Sequence, residues 1–510
     1  MVTRAVWRPP WQAWMVLGVV VLALIYVVAP NRLHGHWLIL SPVLVFAAVL
    51  VLRKLWELNP AVNMCGAIVL SVFAGAWFQV GLGGLPLDRL LVVVVLLQFL
   101  LRAPGVVHAP RLEIRNVHLL MCLTIVYVMA SAIAAGTLTN EKGYLSLVDM
   151  FGLAPYLMFL VAPAVFAGRR ERNLLLATLV GLGAYLGFTA IFESLGPHSL
   201  VFPHYIARVD AELPDERAGG PFQSSVVEGF ATYACAVAAV MAFVQWRGQR
   251  RRYLAAITAT VCLFGCFVTL ERGIWIAAVV ATSVAALATR AGRRWLTPAV
   301  LMCAIVIGTA LMVSPALSRK TSTRVNDQTS VWSRQNQISS GLRMLAAKPL
   351  FGFGWARYTT DSREYFRQPR DYPQIGYALN EGVGTADPPL PLHNTYLAFA
   401  VELGLVGALL WLASLFWGVG GAIAEHRPPD LRPWKLGLLA VAVFYLVVAF
   451  VDPHEQAFSL LLLWSWAGVS FGSVPLSAQV RRVGYGFRAG KFSPGIGDAT
   501  SGLALGEPHL

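Results

Sequence analysis

The stretch PPLPLHNTYLAFAVELGLVG, from Pro388 to Gly407, places a titratable residue at the start of a long apolar run. Its three prolines prevent a helix from extending backwards, so a helix is predicted to begin at His393. The 78 residues before it, 315–392, form the longest polar segment of a chain that is otherwise mostly apolar. A histidine between a long polar loop and an apolar run is the first candidate for a reactive residue.

Apolar runs recur along the whole chain. Of its 510 residues, 57% are hydrophobic and 13% are charged, which excludes an ordinary soluble globular domain. A helix needs about 20 mainly apolar residues to cross a bilayer. The sequence predicts about fourteen transmembrane helices, at 12–29, 37–52, 61–80, 87–101, 117–135, 150–167, 174–193, 224–246, 253–270, 273–289, 297–314, 393–423, 435–451 and 457–473. The predicted fold is an all-α polytopic membrane protein.

The predicted helices define one integral membrane domain, residues 1–473. The loop 315–392 interrupts this domain and is predicted to cover its outer (periplasmic) face, and the Gly-, Ser- and Pro-rich tail 474–510 is predicted to be disordered. Lys and Arg concentrate in alternate connections, for example 250–252. The positive-inside rule therefore predicts that both termini are cytoplasmic and that the long loop faces outwards.

The outer loop has its own charge pattern, with ten Lys and Arg against six Asp and Glu. Positive charge outside runs against the topological trend, and an anionic ligand is the simplest reason for it. Most of the net charge of +14 is explained by cytoplasmic anchors, so no nucleic-acid partner is predicted. Within the loop, 330–347 has apolar residues at helical spacing and ends before Pro349. This predicts an amphipathic helix on the membrane surface or over a cavity.

The cysteines give no indication of redox or metal chemistry. All six lie inside predicted membrane helices, and none is placed for a disulfide in an outer loop. The chain also has no Cys and His spacing of the kind that binds zinc. Neither a metal nor another cofactor is predicted.

His393 and Asn394 are predicted to lie at a helix N-terminus, whose positive end disfavours the imidazolium form. A neutral imidazole can act as a general base. At about 100° per residue, Gly404 and Gly407 fall within about 60° of the His393 direction. Small residues on one stripe allow close helix packing in lipid. The alternative is that His393 only caps the helix or forms hydrogen bonds in the membrane interface.

Three arginines predicted on the outer side are candidates for binding an anion: Arg217, Arg272 and Arg334. A guanidinium fork binds two phosphate oxygens at once. Arg272 lies in a connection of about two residues between membrane helices, where a charge is costly and is usually functional. An ion pair with Glu271 that holds this hairpin is the structural alternative. Glu402, inside a predicted membrane helix, is expected to pair with a neighbouring helix.

These residues resemble motifs of the O-antigen ligase/polymerase family. In that family a histidine opens a late membrane helix in the pattern H-[NSQ]-x9-G-x2-G, which is reproduced here by His393, Asn394, Gly404 and Gly407. The segment AAKPLFGFGWARY resembles the family's PL-x-G-x-G segment, through Pro349, Leu350, Gly352 and Gly354.

Two arginine segments extend the resemblance. LERGIWIA, with Arg272, resembles the family's Arg-Gly helix start, where serine stands more often than Glu271. RAGGPFQSS, with Arg217, is a looser match to an earlier arginine segment. The specific motifs together cover about residues 215–410, and the rest of the chain agrees with the family only in its topology.

The resemblance implies a metal-independent, inverting glycosyltransferase that uses no cofactor. It would move a glycan from an undecaprenyl-diphosphate carrier to an acceptor hydroxyl on the outer face of the bacterial cytoplasmic (inner) membrane. His393 would deprotonate or orient the hydroxyl, and Arg217 and Arg272, helped by Arg334, would hold the leaving diphosphate. The implied partners are the lipid-linked donor, a glycan or lipid acceptor, the bilayer and a chain-length regulator.

Two reactions share this donor chemistry. A polymerase extends the next lipid-linked repeat, whereas a ligase transfers the finished glycan to lipid A core or another final acceptor. Fourteen predicted membrane helices, against about twelve in ligases of the family, favour a polymerase. A flippase or another transporter of lipid-linked oligosaccharides is the alternative from a different class. A transporter needs charged residues along a path through the bundle, rather than a long outer loop ending at a histidine.

Overall fold

The computed structural model describes residues 36–73, 87–101, 112–139, 147–206, 217–326, 329–365, 391–424, 429–451 and 457–472, together with Trp11 and Met15. Within these ranges the regular structure is entirely helical, as predicted. The first predicted membrane helix, 12–29, lies outside the described residues except for Met15. Residues 366–390 of the long loop and the tail 474–510 also lie outside them.

The longer helices are connected mainly by short segments. In chain order they are α1 His36–Glu57, α2 Pro60–Ser71, α3 Leu87–Leu100, α4 Asn116–Ala134, α5 Leu153–Val165, α6 Arg169–Leu195, α7 Ser225–Gln245, α8 Gln249–Val268, α9 Arg272–Leu287, α10 Arg290–Val313, α11 Pro315–Asn326, α12 Thr329–Ala347, α13 Thr395–Leu415, α14 Arg432–Val448 and α15 Ala457–Phe471.

Six of the described helices are long and apolar enough to cross a membrane: α4, α6, α7, α8, α10, and α13 with its continuation to Ala424. Helices α2, α5, α9 and α15 are apolar but shorter. A helix coincides at least in part with every predicted membrane helix from 37–52 onwards. The count of fourteen crossings is not confirmed, because several of these helices are shorter than a bilayer requires. The outward position of the long loop also stays a prediction.

Helices α6, α7 and α8 meet where their residues are small. A Cβ atom on Gly265 would lie 3.1 Å from the Cα of Gly187. A Cβ atom on Gly183 would lie 2.8 Å from Sγ of Cys262, so this cysteine acts as a small packing residue. Helices in lipid have no hydrophobic driving force between them, and close van der Waals contact of this kind stabilises their association.

The long loop is more helical than predicted. The expected amphipathic helix is present as α12, and α11 precedes it as a helix that was not predicted. Ser314 and Pro315 explain the start of α11. The Ser314 hydroxyl accepts a hydrogen bond from the Leu317 N–H at 3.3 Å, and Pro315 occupies the first helical position. A serine cap followed by proline is a favourable helix start that the polar composition of the segment obscured.

Helix α12 buries polar residues as well as the apolar Met344. Val331 and Leu342 belong to the predicted apolar stripe, yet 40% and 54% of their surfaces are exposed. Gln337 and Ser340, on a different side of the helix, are buried. An exposed apolar stripe suits a membrane surface. One of these buried polar side chains, Gln337, contacts His393 just before the start of α13.

Candidate active site

Helix α13 begins two residues later than predicted. Its first residue is Thr395, and Asn394 is the cap, with extended backbone and a side-chain oxygen that accepts the Leu397 N–H at 2.9 Å. The prediction that His393 opens the helix is therefore wrong, and His393 precedes the cap. The Thr395 N–H donates to the Ala449 carbonyl at 2.9 Å, which fixes the start of α13 against the end of α14.

Gln337 of α12 holds His393 by two contacts. Its side-chain oxygen accepts the backbone N–H of His393 at 3.1 Å and lies 2.8 Å from the ring nitrogen Nδ1. The Pro391 carbonyl oxygen lies 3.0 Å from the same nitrogen. Because a carbonyl oxygen can only accept, Nδ1 carries the hydrogen and Nε2 carries the lone pair of the neutral ring.

The imidazole of His393 is held in its neutral form. Burial lowers the pKa of His393 from 6.5 to about 4, and the positive charge of Arg334 acts in the same direction. The hydrogen bond to Pro391 and the charge of Glu271 raise this pKa but are outweighed. A neutral imidazole was predicted from the helix N-terminus. The causes found here are instead desolvation and a neighbouring guanidinium.

Three arginines converge on the buried carboxylate of Glu271. Its Oε2 lies 3.2 Å from Nη1 of Arg217 and 3.5 Å from Nη2 of Arg324. Its Oε1 lies 3.1 Å from Nη2 of Arg334. The structure thus brings together two of the predicted anion-binding residues, Arg217 and Arg334. Arg324, on the unpredicted helix α11, is a further member that sequence reasoning missed. These four side chains, named the arginine cluster below, carry three positive charges and one negative charge.

The break between α8 and α9 positions Glu271. Leu270 has a φ of +53°, and Glu271 has extended backbone immediately before the first residue of α9. The Leu270 carbonyl accepts a hydrogen bond from Nε of Arg324 at 3.3 Å, which anchors α11 to this break. The carboxylate is thereby held at the head of α9, where arginines from three other segments reach it.

Arg272 lies at the same corner of the molecule. It is the first residue of α9, and its Nη1 donates to the Val325 carbonyl at 3.3 Å, near the end of α11. Gly273 follows it, and a Cβ atom there would lie 2.6 Å from Cγ2 of Val451. The Arg-Gly pair therefore permits the start of α9 to pack against the segment that follows α14. The role of Arg272 as a diphosphate ligand stays a prediction.

Helix α12 joins the arginine cluster to His393. Arg334 and Gln337 are three residues apart in α12, so they lie on neighbouring parts of one helix surface. Arg334 contacts Glu271, and Gln337 contacts His393. The effect of the Arg334 charge on the pKa of His393 is consistent with this proximity. A neutral imidazole and a group of guanidinium ions thus lie near one another.

Gly404 breaks α13, and the prediction of a continuous stripe of small residues is wrong at this position. Its φ of 68° lies in the left-handed region. The loop of residues 349–354 packs into the break and forms hydrogen bonds with it. A Cβ atom on Gly404 would overlap the Leu350 carbonyl oxygen. A Cβ atom on Gly352, which also has positive φ, would lie 2.5 Å from the Gly404 nitrogen. Both positions therefore require glycine.

The inserted loop, residues 349–354, supplies hydrogen-bond partners for the backbone groups that the break in α13 exposes. Its hydrogen bonds join Phe353 N–H to Val401 O at 2.9 Å, Gly354 N–H to Glu402 O at 2.8 Å and Leu405 N–H to Pro349 O at 2.8 Å. The Tyr127 hydroxyl of α4 donates to the Leu403 carbonyl at 2.7 Å. Irregular backbone inside a membrane protein requires such partners, because lipid provides none.

Glu402 and two further glycines of the motifs, Gly354 and Gly407, pack around this break. Glu402, predicted to pair with a neighbouring helix, accepts the backbone N–H groups of Ala356 and Tyr358 in the loop, both at 3.1 Å. Gly407 lies in a close helix contact of the kind predicted, because a Cβ atom there would be 2.6 Å from Cε1 of Tyr127. Gly354, with φ of 107°, meets Ala135 at the end of α4. The two glycine motifs thus form one interlocked unit below His393.

The fold and the site together define a class. Long apolar helices, with buried charged residues gathered near the starts of α9 and α13, are features of a multi-pass membrane protein. Residues 257–412 match the family model described as O-antigen ligase, and this segment belongs to the O-antigen ligase/polymerase family, as its motifs predicted. No curated protein matches the chain. The matched segment contains Glu271, Arg272, Arg324, Arg334, Gln337 and His393, whereas Arg217 precedes it.

Proposed function

We propose that this protein transfers a glycan from an undecaprenyl-diphosphate carrier to an acceptor hydroxyl on the outer face of the bacterial inner membrane. The observation that carries the proposal is the position of neutral His393 beside the arginine cluster. An attacking hydroxyl needs a base, and a departing diphosphate needs positive charge.

In the proposed reaction, Nε2 of His393 takes the proton of the acceptor hydroxyl while its oxygen attacks the anomeric carbon of the donor sugar. The attack comes from the side opposite the diphosphate. The bond between the anomeric carbon and the diphosphate oxygen breaks, and its electron pair stays on that oxygen. The configuration at the anomeric carbon is therefore inverted. The imidazolium then returns its proton to water.

Arg217, Arg272 and Arg334 bind the diphosphate in this proposal, with Arg324 as an added ligand. Guanidinium forks bind two oxygens each and stabilise the charge that grows on the leaving group. Glu271 holds three of these side chains in place before the donor arrives. The arginines supply the positive charge that a divalent cation supplies in many other transferases, so the proposed reaction needs no metal.

We further propose that the acceptor is a lipid-linked repeat, which makes the protein a polymerase that works with a chain-length regulator. The number of membrane helices predicted from the sequence supports this choice over a ligase. A transporter is less well supported, because the charged groups described above gather at the head of α9, the end of α11 and the first turns of α12 rather than along a path through the bundle.

The test begins with the lipid-linked glycan that accumulates when the gene is deleted, identified by mass spectrometry. Purified protein in nanodiscs then receives this donor with either a second lipid-linked repeat or lipid A core, in the presence of EDTA. Longer glycans on the lipid carrier would support polymerase activity, whereas transfer only to lipid A core would replace it with ligase activity. Absence of any transfer, or transfer that EDTA abolishes, would contradict the proposed chemistry.

A further inference from the structure

We infer that Gln337 is a positioning residue that sets the orientation and the tautomer of His393, so that Nε2 is the atom able to take a proton. The identity of the hydroxyl that loses this proton rests on the proposed function. The contact between the two side chains does not. Gln337 acts through the imidazole and is not assigned a contact with substrate.

The geometry fixes both partners of this contact. One oxygen of Gln337 faces two N–H groups of the same residue, the backbone N–H of His393 at 3.1 Å and Nδ1 at 2.8 Å. A backbone N–H can only donate, so the oxygen rather than the amide nitrogen of Gln337 must point towards His393. The ring nitrogen beside that oxygen must then be the protonated one, which leaves the lone pair on Nε2.

Gln337 is suited to this task by burial. Only 4% of its surface is exposed, so water competes poorly for its oxygen. The Pro391 carbonyl also accepts from Nδ1, at 3.0 Å, but Pro391 belongs to the same segment as His393 and moves with it. Gln337 instead belongs to α12, which also carries Arg334. The contact therefore fixes the imidazole relative to the arginine cluster.

The tautomer matters because an imidazole with hydrogen on Nε2 cannot accept a proton at that atom. In serine proteases, loss of the residue that holds the correct histidine tautomer lowers kcat about 10⁴-fold. The Pro391 carbonyl remains in a Gln337 variant, so the expected loss is smaller. We expect kcat to fall by about 10- to 100-fold in Gln337→Leu, with little change in KM for the donor.

The direct test reads the tautomer without any reaction. Protein containing ¹⁵N-labelled histidine is studied by NMR in nanodiscs, and the His393 signals are identified by their loss in His393→Ala. The wild type is expected to show hydrogen on Nδ1. Gln337→Leu is expected to show hydrogen partly or mainly on Nε2. Gln335→Leu, on the exposed side of the same helix, is the matched control and should resemble the wild type. An unchanged tautomer in Gln337→Leu would overturn the inference.

A second variant separates a change of tautomer from a general loss of folding. Gln337→Glu keeps an acceptor oxygen in place and adds a negative charge beside Nδ1, so it should retain the wild-type tautomer. It should also recover most of the kcat lost in Gln337→Leu and shift the acid limb of the pH–rate profile to higher pH. A Glu variant with the altered tautomer of the Leu variant would count against the inference. If the tautomer changed as expected but kcat did not, the inference would stand and the proposed role of His393 as a base would fail.

Discussion

Arg334 and Gln337 lie one turn apart in the helix Thr329–Ala347, and their side chains contact Glu271 and His393 respectively. This helix therefore carries one residue of the arginine cluster and one residue that holds the imidazole. A small displacement of the helix would change both parts of the site together. The arrangement makes this part of the long loop a contributor to both halves of the site.

The pH dependence of the reaction should report the environment of His393. The base must be unprotonated, and burial lowers the pKa of His393 to about 4. We expect kcat/KM to stay level from pH 8 down to about pH 5 and to fall only below that, as the folded-state pKa indicates. The contribution of His393 to stability is lost as the pH falls from 6.5 through about 4, because the unfolded chain binds the proton more readily there. A midpoint near 6.5 in the kcat/KM profile would contradict this assignment.

Donor binding should change that pH dependence. The charge of Arg334 lowers the pKa of His393, and a diphosphate bound to the arginine cluster would offset this charge. The profile of kcat reports the enzyme with donor bound, whereas kcat/KM reports the free enzyme. We therefore expect the acid midpoint of kcat to lie at higher pH than that of kcat/KM. Identical midpoints would show that the donor diphosphate does not reach the cluster.

Replacing Arg217, Arg272 or Arg334 with lysine should impair donor use. Lysine keeps the charge but cannot bind two oxygens at once. Loss of a charge-assisted hydrogen bond of about 1.5–3 kcal/mol corresponds to a decrease in kcat/KM of about 10- to 100-fold. Arg343→Lys, on the same helix as Arg334, is the control, because that guanidinium contacts the Tyr365 carbonyl. An unaffected Arg272→Lys enzyme would assign Arg272 to hairpin structure instead.

Glu271→Gln should separate the structural and binding roles of the arginine cluster. Removing one partner of a buried ion pair costs about 3–5 kcal/mol, so the melting temperature should fall. Inorganic pyrophosphate should restore much of the loss, because it can replace the missing carboxylate. Glu113→Gln, which disrupts a partly exposed pair with Arg115 at 2.8 Å, should cost less than about 1 kcal/mol and show no such rescue. If pyrophosphate failed to stabilise Glu271→Gln, the cluster would not be an anion site.

Gly404→Ala should damage the protein far more than an alanine elsewhere in a membrane helix. The left-handed backbone alone disfavours alanine by about 1–3 kcal/mol, and the new Cβ would overlap the Leu350 carbonyl. We expect a clear fall in melting temperature together with loss of activity. Gly308→Ala in α10 is the matched control, since no atom lies within 4 Å of its added Cβ, and it should be tolerated. Equal melting temperatures for the two variants would contradict the interlocked break.

Local patterns predicted much of this arrangement. The apolar runs located the helices, and the spacing of apolar residues together with Pro349 located α12. The motifs around Arg217 and His393, and the interpretation of Arg334 as an anion ligand, pointed to residues that gather around Glu271 and the start of α13 in the structure. These features depend on composition and short-range spacing, which a single sequence displays directly.

The features that the sequence patterns did not predict depend on contacts between residues far apart in the chain. Their shared spacing predicts the same packing role for Gly404 and Gly407, but in the structure Gly404 accommodates the loop 349–354, and its backbone conformation depends on that loop. Arg324 and Gln337 lack a recognisable motif. Gln337 could have been suspected because it stands three residues after Arg334, on the same side of a predicted helix. The start of α11 at Ser314 and Pro315 was readable from helix-capping preferences.

The most direct test of the central claim is a single-turnover measurement of glycan transfer by His393→Ala. The variant in nanodiscs is given saturating lipid-linked donor and acceptor, and its melting temperature is compared with that of the wild type. We predict that folding and donor binding are retained while the rate of transfer falls by about two orders of magnitude or more, as expected when a general base is lost. A folded His393→Ala protein that transfers glycan at the wild-type rate would contradict the assignment of His393 as the base.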